Sequence, residues 1–327
     1  MQFRGVRYRA IAIGIVLWCF ASGAGLGQDT SSTRLLPGKH FDHLLIIVLE
    51  NQNYESAMKD DLLAKLASKG AVFSNFGNLY HHSYPNYIAM IAGSDFGIHN
   101  RWNNDEQVIF EDDGQHKTIG DWLDWKNYAE NYPAPPTTNQ PFLGPEKGRY
   151  VRRHVPFLSF REVQSKSFRN VVAVNTHDKN NAFVTDIGNF IADPQKHPLA
   201  QYMFYSPNLD DDGHDPTSDP PAGLKKASEW LSAFLTSWLH FDDTTCLPKD
   251  EQMRRTLVIV TFDESEGNVK PERIYTVFLG DMVKPQEVKA PYNHYSVLRT
   301  IEDNFGLAPI HKDMGDGTAA VITGIWK

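Results

Sequence analysis

Cysteine is almost absent from this chain, whose 327 residues include only Cys19 and Cys246. A disulfide-rich scaffold is therefore excluded, and we predict that the mature protein contains no internal disulfide. Its stability must come from a hydrophobic core. Because 41% of the residues are hydrophobic and 12% are aromatic, the chain can bury a core of considerable size.

An excess of positive charge is also lacking. The 32 lysines and arginines are outnumbered by 40 aspartates and glutamates, so the formal net charge is −8. Nucleic acids and anionic membrane surfaces both bind basic patches, and the charge therefore indicates neither as a partner. A small anionic substrate would need local positive charge, which a bound metal ion could supply.

The N-terminal apolar stretch, from residue 10 to about residue 20, is shorter than the ~20 residues of a membrane-spanning helix. Three arginines precede it and small residues follow it up to Gly27, which is the layout of a secretory signal peptide. We predict that residues 1–27 are removed and that residues 28–40 form a loose leader. The mature protein would then be periplasmic or secreted, without a stable membrane anchor, and its formal charge would be −11 after loss of three arginines.

Polar residues follow three predicted core strands. The apolar run 256–262 indicates a strand buried on both faces, and it leads directly into Asp263 and Glu264. The run 43–49 ends in Glu50 and Asn51 in the same way. In open α/β sheets, ligands bind beyond the carboxyl ends of the strands, so these side chains predict a metal site. The third strand, 201–205, is followed by Asn208, Asp210, Asp212 and His214.

Strands and helices alternate along the chain, which predicts a layered α/β fold with a mostly parallel sheet. We expect a single domain over residues 41–327, with an insertion around 94–150 that lines or covers a cleft. The other predicted strands lie at 71–79, 170–174 and 273–279. The predicted helices cover about 54–68, a segment beginning at Ser83, a short segment around 118–126, and the segments 224–241 and 295–305.

Ser83 stands at a predicted helix N-terminus, because Pro85 follows within the first turn. Unpaired N–H groups and a partial positive charge at such a position suit a phosphate. Plainer readings stay open for each motif. Ser83 could be an ordinary helix cap, Asn51 could cap a loop, and Asp263 and Glu264 could be solvated acids.

Taken together and in order, the motifs resemble the bacterial and fungal phosphoesterase family, which contains secreted acid phosphatases and phospholipases C. The first motif is an Asp-His pair at 42–43, followed by the apolar strand and then Glu50 and Asn51. The resemblance extends from about residue 41 to 307 and implies an alkaline-phosphatase-like α/β/α fold. The other matching segments are His82–Tyr87, Asn208–Asp215, Thr261–Glu264 and Pro291–Asp303.

The resemblance also implies residue roles. Ser83 would be the nucleophile that forms a phosphoserine, and His214 and His294 would be catalytic or would help to bind a second ion. Asp212 and Asp210 are equal claimants to that second metal site. Hard oxygen ligands suit Mg²⁺, Mn²⁺ or Ca²⁺, while Zn²⁺ and iron stay open, as does the choice of one ion or two. The ligands of the first ion would be Glu50, Asn51, Asp263 and Glu264.

We therefore expect a secreted, metal-dependent phosphomonoesterase of the acid phosphatase type that acts on small phosphate esters. The sulfatase pattern of an arginine after the proline is missing, because Asn86 follows Pro85. Long phospholipases C carry further C-terminal domains, whereas this sequence stops soon after its last predicted helix. A phosphodiesterase or phospholipase C with the same residues stays open. A binding protein that has lost catalysis is disfavoured by the intact motifs, and no oligomeric state is indicated.

Overall fold

The structure, a computed structural model, describes residues 35–100, 108–133, 140–214, 220–267 and 270–327. The predicted signal peptide and the first part of the predicted leader lie outside these residues. The chain from Leu35 to Lys327 packs as one unit. None of the helices in its described part combines the length and the apolar character that crossing a membrane requires.

A central sheet of eight strands forms the middle of the fold, and most of its pairings are parallel, as the sequence predicts. The strand order is β11-β2-β10-β9-β1-β8-β4-β7, with β10 antiparallel to both of its neighbours. Two small sheets pair β3 with β12 and β5 with β6. The strands are β1 (His43–Leu49), β2 (Ala71–Phe73), β3 (Phe76–Gly77), β4 (Trp125–Glu130), β5 (Glu146–Lys147), β6 (Tyr150–Val151), β7 (Val171–Val174), β8 (Tyr202–Ser206), β9 (Thr256–Phe262), β10 (Thr276–Leu279), β11 (Gln286–Val288) and β12 (Tyr292–Asn293).

Strand β1 lies at the centre, parallel to β8 on one side and to β9 on the other. Ile46 stands opposite Phe204 in β8 and Ile259 in β9. Every residue of β1 and β9 is buried, which explains why both strands are apolar throughout rather than alternating. Because all three strands run in the same direction, the segments that follow them meet at one edge of the sheet.

The helices lie at α1 (Tyr54–Ala57), α2 (Asp61–Lys69), α3 (Ser83–Ala92), α4 (Ala182–Ala192), α5 (Pro220–Ala233) and α6 (His294–Asn304). The helix predicted over 54–68 is in fact two helices. Asp60 has an extended backbone, and its carboxylate accepts a hydrogen bond from the Leu63 N–H, so it caps a new helix. Gly70 ends α2 in an extended conformation, and a Cβ there would lie 2.3 Å from the Phe278 carbonyl oxygen.

The helix predicted around 118–126 is wrong. A single 3-10 turn, Ile119–Asp121, is followed by β4, which pairs with β7 and β8 in the central sheet. The Trp125 ring stacks on Phe157 with 3.8 Å between ring centroids, so pairing and packing outweigh the local helical pattern. Part of the segment 94–150 is thus core. Residues 101–107 and 134–139 of that segment lie outside the described part of the chain, and helix α4 was not predicted.

Candidate active site

Buried carboxylates gather where β1 and β9 end. Glu50 follows β1 and Asp263 follows β9, and Leu49 pairs with Phe262 in the sheet, so the two acids leave it side by side. The Asp263 N–H donates to the Leu49 carbonyl at 3.0 Å, and the Asn51 N–H donates to Asp263 Oδ1 at 3.0 Å. Glu50, Asp263 and Glu264 are all buried. The structure therefore brings together all four residues predicted as ligands of the first ion.

Negative charge is crowded at this edge of the sheet. Burial raises the pKa of Glu50 well above its ordinary value, and the nearby charges of Asp263 and Asp212 raise it further. Burial likewise raises the pKa of Asp263 to about 6. For Glu264, burial and then the charge of Asp263 raise the pKa to about 8. A cation placed among these groups would favour their ionised forms.

Ser83 lies among these carboxylates as the first residue of α3. Its hydroxyl donates to Glu50 Oε2 at 3.0 Å, and Glu264 Oε1 is 3.5 Å from the same oxygen. The preceding residue, His82, has a φ of 155°, which is rare for a residue other than glycine. Its N–H donates to Glu264 Oε2 at 2.9 Å, so the entry into α3 is tied to the carboxylate cluster.

The two claimants to a second metal site occupy different surroundings. The Asp212 side chain is buried, its carbonyl accepts from the Glu50 N–H at 2.8 Å, and its charge acts on Glu50. Asp210 is half exposed and pairs with Lys226 at 3.1 Å and with Arg149 at 3.2 Å. Only Asp212 of the two is thus brought against the carboxylate cluster.

The two histidines predicted to be catalytic, His214 and His294, differ in burial. His214 is exposed, and its N–H donates to Asp212 Oδ1 at 3.0 Å. His294 is buried beneath the site, where its Nε2 lies 2.8 Å from the Asp263 carbonyl oxygen. Burial lowers the pKa of His294 to about 4, so its ring is neutral. This ring supports the backbone of Asp263, a position that suits alignment rather than contact with a substrate.

Several residues at the site were not predicted from the sequence. Tyr87, one turn into α3, donates its hydroxyl to Glu50 Oε1 at 2.7 Å. The His154 ring stacks on Tyr87, and its Nε2 lies 3.2 Å from the same Glu50 oxygen. His81 lies between two acids, with Nδ1 3.2 Å from Glu264 and Nε2 3.0 Å from Glu272. The basic triplet 152–154 in an acidic chain is the sequence signal that could have indicated His154.

A divalent cation fits the donors that remain open. Asn51 Oδ1 and Asp263 Oδ2 are buried, and neither has a hydrogen-bond partner among the described residues. Buried oxygens without partners cost free energy, which a bound cation would offset. The described residues contain no group of three or more His, Cys, Asp or Glu side chains already arranged around a metal position. An ion here would therefore rely on the Asn51 amide together with the carboxylates, a hard oxygen set.

Comparison with known proteins identifies the family of this chain. The model of the Phosphoesterase family matches residues 50–308. A probable acid phosphatase from Kluyveromyces lactis is 30% identical over 297 residues, which cover 87% of this chain and 63% of that protein. A phosphate-repressible acid phosphatase from Penicillium chrysogenum is 31% identical, with 83% of this chain and 60% of that protein covered. The chain thus spans about three fifths of the length of these fungal relatives.

A bacterial relative matches over nearly its whole length. A phosphatidylinositol-3-phosphatase from Mycobacterium tuberculosis is 27% identical over 331 residues, which cover 98% of this chain and 94% of that protein. Among solved structures, a protein of the alkaline phosphatase superfamily from Vibrio parahaemolyticus matches with a TM-score of 0.53 and 12% identity, covering 85% of this chain and 72% of its own. The chain therefore belongs to the Phosphoesterase family, and its fold is that of the alkaline phosphatase superfamily.

Proposed function

We propose that this protein is a metal-dependent phosphomonoester hydrolase in which Ser83 attacks phosphorus and carries the phosphoryl group as a phosphoserine. The observation that carries the proposal is the position of the Ser83 hydroxyl, 3.0 Å from Glu50 Oε2 at the first residue of α3. Relatives named acid phosphatase support the hydrolysis of phosphate esters. The relative named phosphatidylinositol-3-phosphatase supports a monoester as the substrate.

The proposed first step forms a bond between Ser83 Oγ and phosphorus and breaks the bond between phosphorus and the ester oxygen. The hydroxyl proton passes to solvent water, and Glu50, which accepts the hydrogen bond of the hydroxyl, orients it. We assign His214, exposed beside Asp212, to proton delivery to the leaving oxygen. Water then cleaves the phosphoserine and releases phosphate and the free serine.

The first turn of α3 stabilises the phosphoryl group in this proposal. This helix begins at Ser83, and the N–H groups at a helix N-terminus suit an anion. When bound to Glu50, Asn51, Asp263 and Glu264, a divalent cation would supply positive charge to the phosphoryl oxygens. An acidic protein has few other sources of such charge.

Ser83→Ala tests the role of the nucleophile. We expect the fold to persist, because loss of one hydrogen bond to a buried group costs only about 1–3 kcal/mol. Turnover of p-nitrophenyl phosphate should fall by several orders of magnitude, since no other nucleophile replaces Oγ. Rapid acid quench with a ³²P-labelled monoester, followed by peptide mapping, should find phosphate on the peptide that contains Ser83. A Ser83→Ala variant with near-normal turnover would show that the Ser83 hydroxyl is not the nucleophile and only positions Glu50.

We also propose that the protein is exported from the cytoplasm. We predict that the mature protein begins near Gln28, because a basic, apolar and then small-residue opening is typical of a signal peptide. N-terminal sequencing of the protein recovered outside the cytoplasm is the measurement. Recovery of a chain that still begins at Met1 would contradict this prediction.

A further inference from the structure

A buried carboxylate outside the cluster holds the loop 208–214, which follows β8 at the edge of the sheet where the site lies. Glu130 is the last residue of β4 and is only 1% exposed. Its Oε1 accepts from the Tyr205 hydroxyl at 2.8 Å and from the Trp230 indole N–H at 3.2 Å. Its Oε2 accepts from the Asn208 N–H at 3.0 Å. One side chain thus joins β4, β8, α5 and the base of the loop.

Asn208 transmits this anchor to the rest of the loop. Its Nδ2 donates to Asn131 Oδ1 at 2.6 Å, so two consecutive residues at the end of β4 hold it. The Asn208 carbonyl accepts from the N–H groups of Asp211 and Asp212, both at 3.0 Å. Its Oδ1 accepts from the Asp210 N–H at 2.7 Å, which closes a turn around the side chain. The position of Asn208 therefore sets the path of the residues that follow it.

The far end of the loop reaches the carboxylate cluster. The Asp212 carbonyl accepts from the Glu50 N–H at 2.8 Å, and Asp212 Oδ1 accepts from the His214 N–H at 3.0 Å. The Gly213 carbonyl accepts from Gln52 Nε2 at 3.3 Å. A shift at the base of the loop would therefore move His214 relative to the cluster.

A carboxylate suits the base of the loop better than an amide does. The Trp230 indole and the Asn208 N–H lie on opposite oxygens of Glu130, and both groups can only donate. Two carboxylate oxygens satisfy both donors, whereas the single oxygen of a glutamine would satisfy one of them. The Asp211 carboxyl also hydrogen-bonds Glu130 and would attract the amide NH₂ to the loop side, which leaves the Asn208 N–H without an acceptor.

We propose that Glu130 is a positioning residue, which fixes the loop 208–214 and thereby holds His214 in place to protonate the leaving oxygen. This inference rests on the proposed function, in which His214 has that role. Glu130 acts through Asn208 and not by contact with the substrate. Loss of the anchor would leave Ser83 in place but would misplace the proton donor. The loss of rate should therefore depend on how strongly the leaving group needs a proton.

The test compares phenyl phosphate with p-nitrophenyl phosphate in the wild type, Glu130→Gln and Glu130→Ala. p-Nitrophenolate is a weak base that leaves readily without a proton, whereas the more basic phenolate depends on general acid catalysis. Misplacement of a catalytic group by about 1 Å can cost 10²-fold in rate. We expect Glu130→Gln to lower kcat/KM by about 100-fold for phenyl phosphate and by less than about tenfold for p-nitrophenyl phosphate. Glu130→Ala, which removes both acceptor oxygens, should change the ratio of the two esters at least as much.

Tyr205→Phe is the matched control. It removes one hydrogen bond to Glu130 Oε1, which keeps the Trp230 indole, and it leaves the Asn208 anchor on Oε2 intact. The ratio of the two esters should therefore keep its wild-type value. Equal losses on both esters in the Glu130 variants, or the same change of ratio in Tyr205→Phe, would overturn the inference and leave the proposed function standing.

Hydrogen exchange followed by mass spectrometry gives a reading that does not depend on turnover. The N–H groups that donate to the Asn208 carbonyl report whether the loop is held. The peptide over 208–214 should exchange at least about tenfold faster in Glu130→Gln than in the wild type or Tyr205→Phe, while the peptide over β9 should exchange alike in all three. Unchanged exchange over 208–214 would overturn the inference. A wild type that hydrolyses neither ester would instead contradict the proposed function, and the exchange rates would still decide whether Glu130 holds the loop.

Discussion

Individual side chains at the site fall into two groups according to their partners. Glu50 is engaged on both carboxylate oxygens, by the hydroxyls of Ser83 and Tyr87. Asp263 is engaged on one oxygen, by the Asn51 N–H, while its Oδ2 is buried without a partner among the described residues. The protein thus fixes the Ser83 hydroxyl, the proposed nucleophile, through its own hydrogen bonds, whereas Asp263 Oδ2 and Asn51 Oδ1 have no partner among the described residues.

The Asp263→Asn variant tests, without any measurement of activity, whether a cation binds at Asp263. A ligand that binds only the folded state stabilises that state, by about 2.7 kcal/mol when the ligand concentration is 100 times the Kd. Saturating Mn²⁺ should therefore raise the Tm of the chelator-treated wild type by several degrees. Asn keeps the shape and can still accept from the Asn51 N–H, but it removes the charge. We expect the metal-dependent rise in Tm to disappear, as measured by differential scanning calorimetry.

Asp210→Asn is the matched control for this experiment. Asp210 is half exposed and pairs with Arg149 and Lys226, so its substitution should leave the metal-dependent rise in Tm intact. An Asp263→Asn protein that still gains the full rise with Mn²⁺ would show that the ion binds elsewhere.

The sequence identifies those site residues that directly follow a regular element. Glu50, Asn51, Asp263 and Glu264 stand after apolar strands, so periodicity places these four residues at one edge of the sheet. Ser83 is predicted at a helix start, and only the family resemblance joins it to them. His154 belongs to an isolated 3-10 turn, which hydrophobic periodicity does not predict and which only the basic triplet 152–154 marks in the sequence.

At the scale of elements, α6 and the C-terminal segment are joined by two buried acids. Glu302 in α6 and Asp316 both accept from the Ile310 N–H, at 2.9 and 2.7 Å. Burial, and after it the hydrogen bond and charge of Asp316, raise the pKa of Glu302 to about 8. Arg299 lies 3.4 Å from Glu302 and partly opposes this shift. The pair therefore retains a proton at neutral pH.

Glu302→Gln should make stability less dependent on pH. The ordinary pKa of the Glu302 carboxyl is 4.5, and its pKa in the folded protein is about 8. Between these two pH values, the unfolded chain has lost the Glu302 proton while the folded chain keeps it. The free energy of unfolding of the wild type therefore falls as pH rises through this window, by up to ~1.4 kcal/mol per pH unit for one proton. Gln does not titrate, so the variant should lose less stability than the wild type between pH 5 and pH 8.

Urea denaturation at several pH values measures this difference. Other buried acids, such as Glu264, contribute to both proteins, so only the difference between variant and wild type is informative. Glu229→Gln, an exposed substitution on α5, is the control and should follow the wild type. Parallel pH profiles for Glu302→Gln and the wild type would show that Glu302 carries no retained proton.

At the scale of the whole molecule, the class of fold follows from the sequence more readily than its details. Long apolar runs at 43–49 and 256–262 predict central strands of a parallel sheet, and both strands have these bounds in the structure. Strand β4 was missed because its assignment depends on pairing with β7 and β8, which local sequence does not encode. The order of strands in the sheet is likewise a property of distant contacts.

The pairing of β1 with β9 has a consequence for how the protein folds. The hydrogen bond between Asn51 and Asp263 joins positions 212 residues apart in the chain. Closing a loop of that length costs roughly 5 kcal/mol of chain entropy, and contacts between such distant residues slow folding. The two halves of the carboxylate cluster therefore come together only when the sheet assembles around β1. Recovery of activity during refolding would report completion of the central sheet rather than formation of any local element.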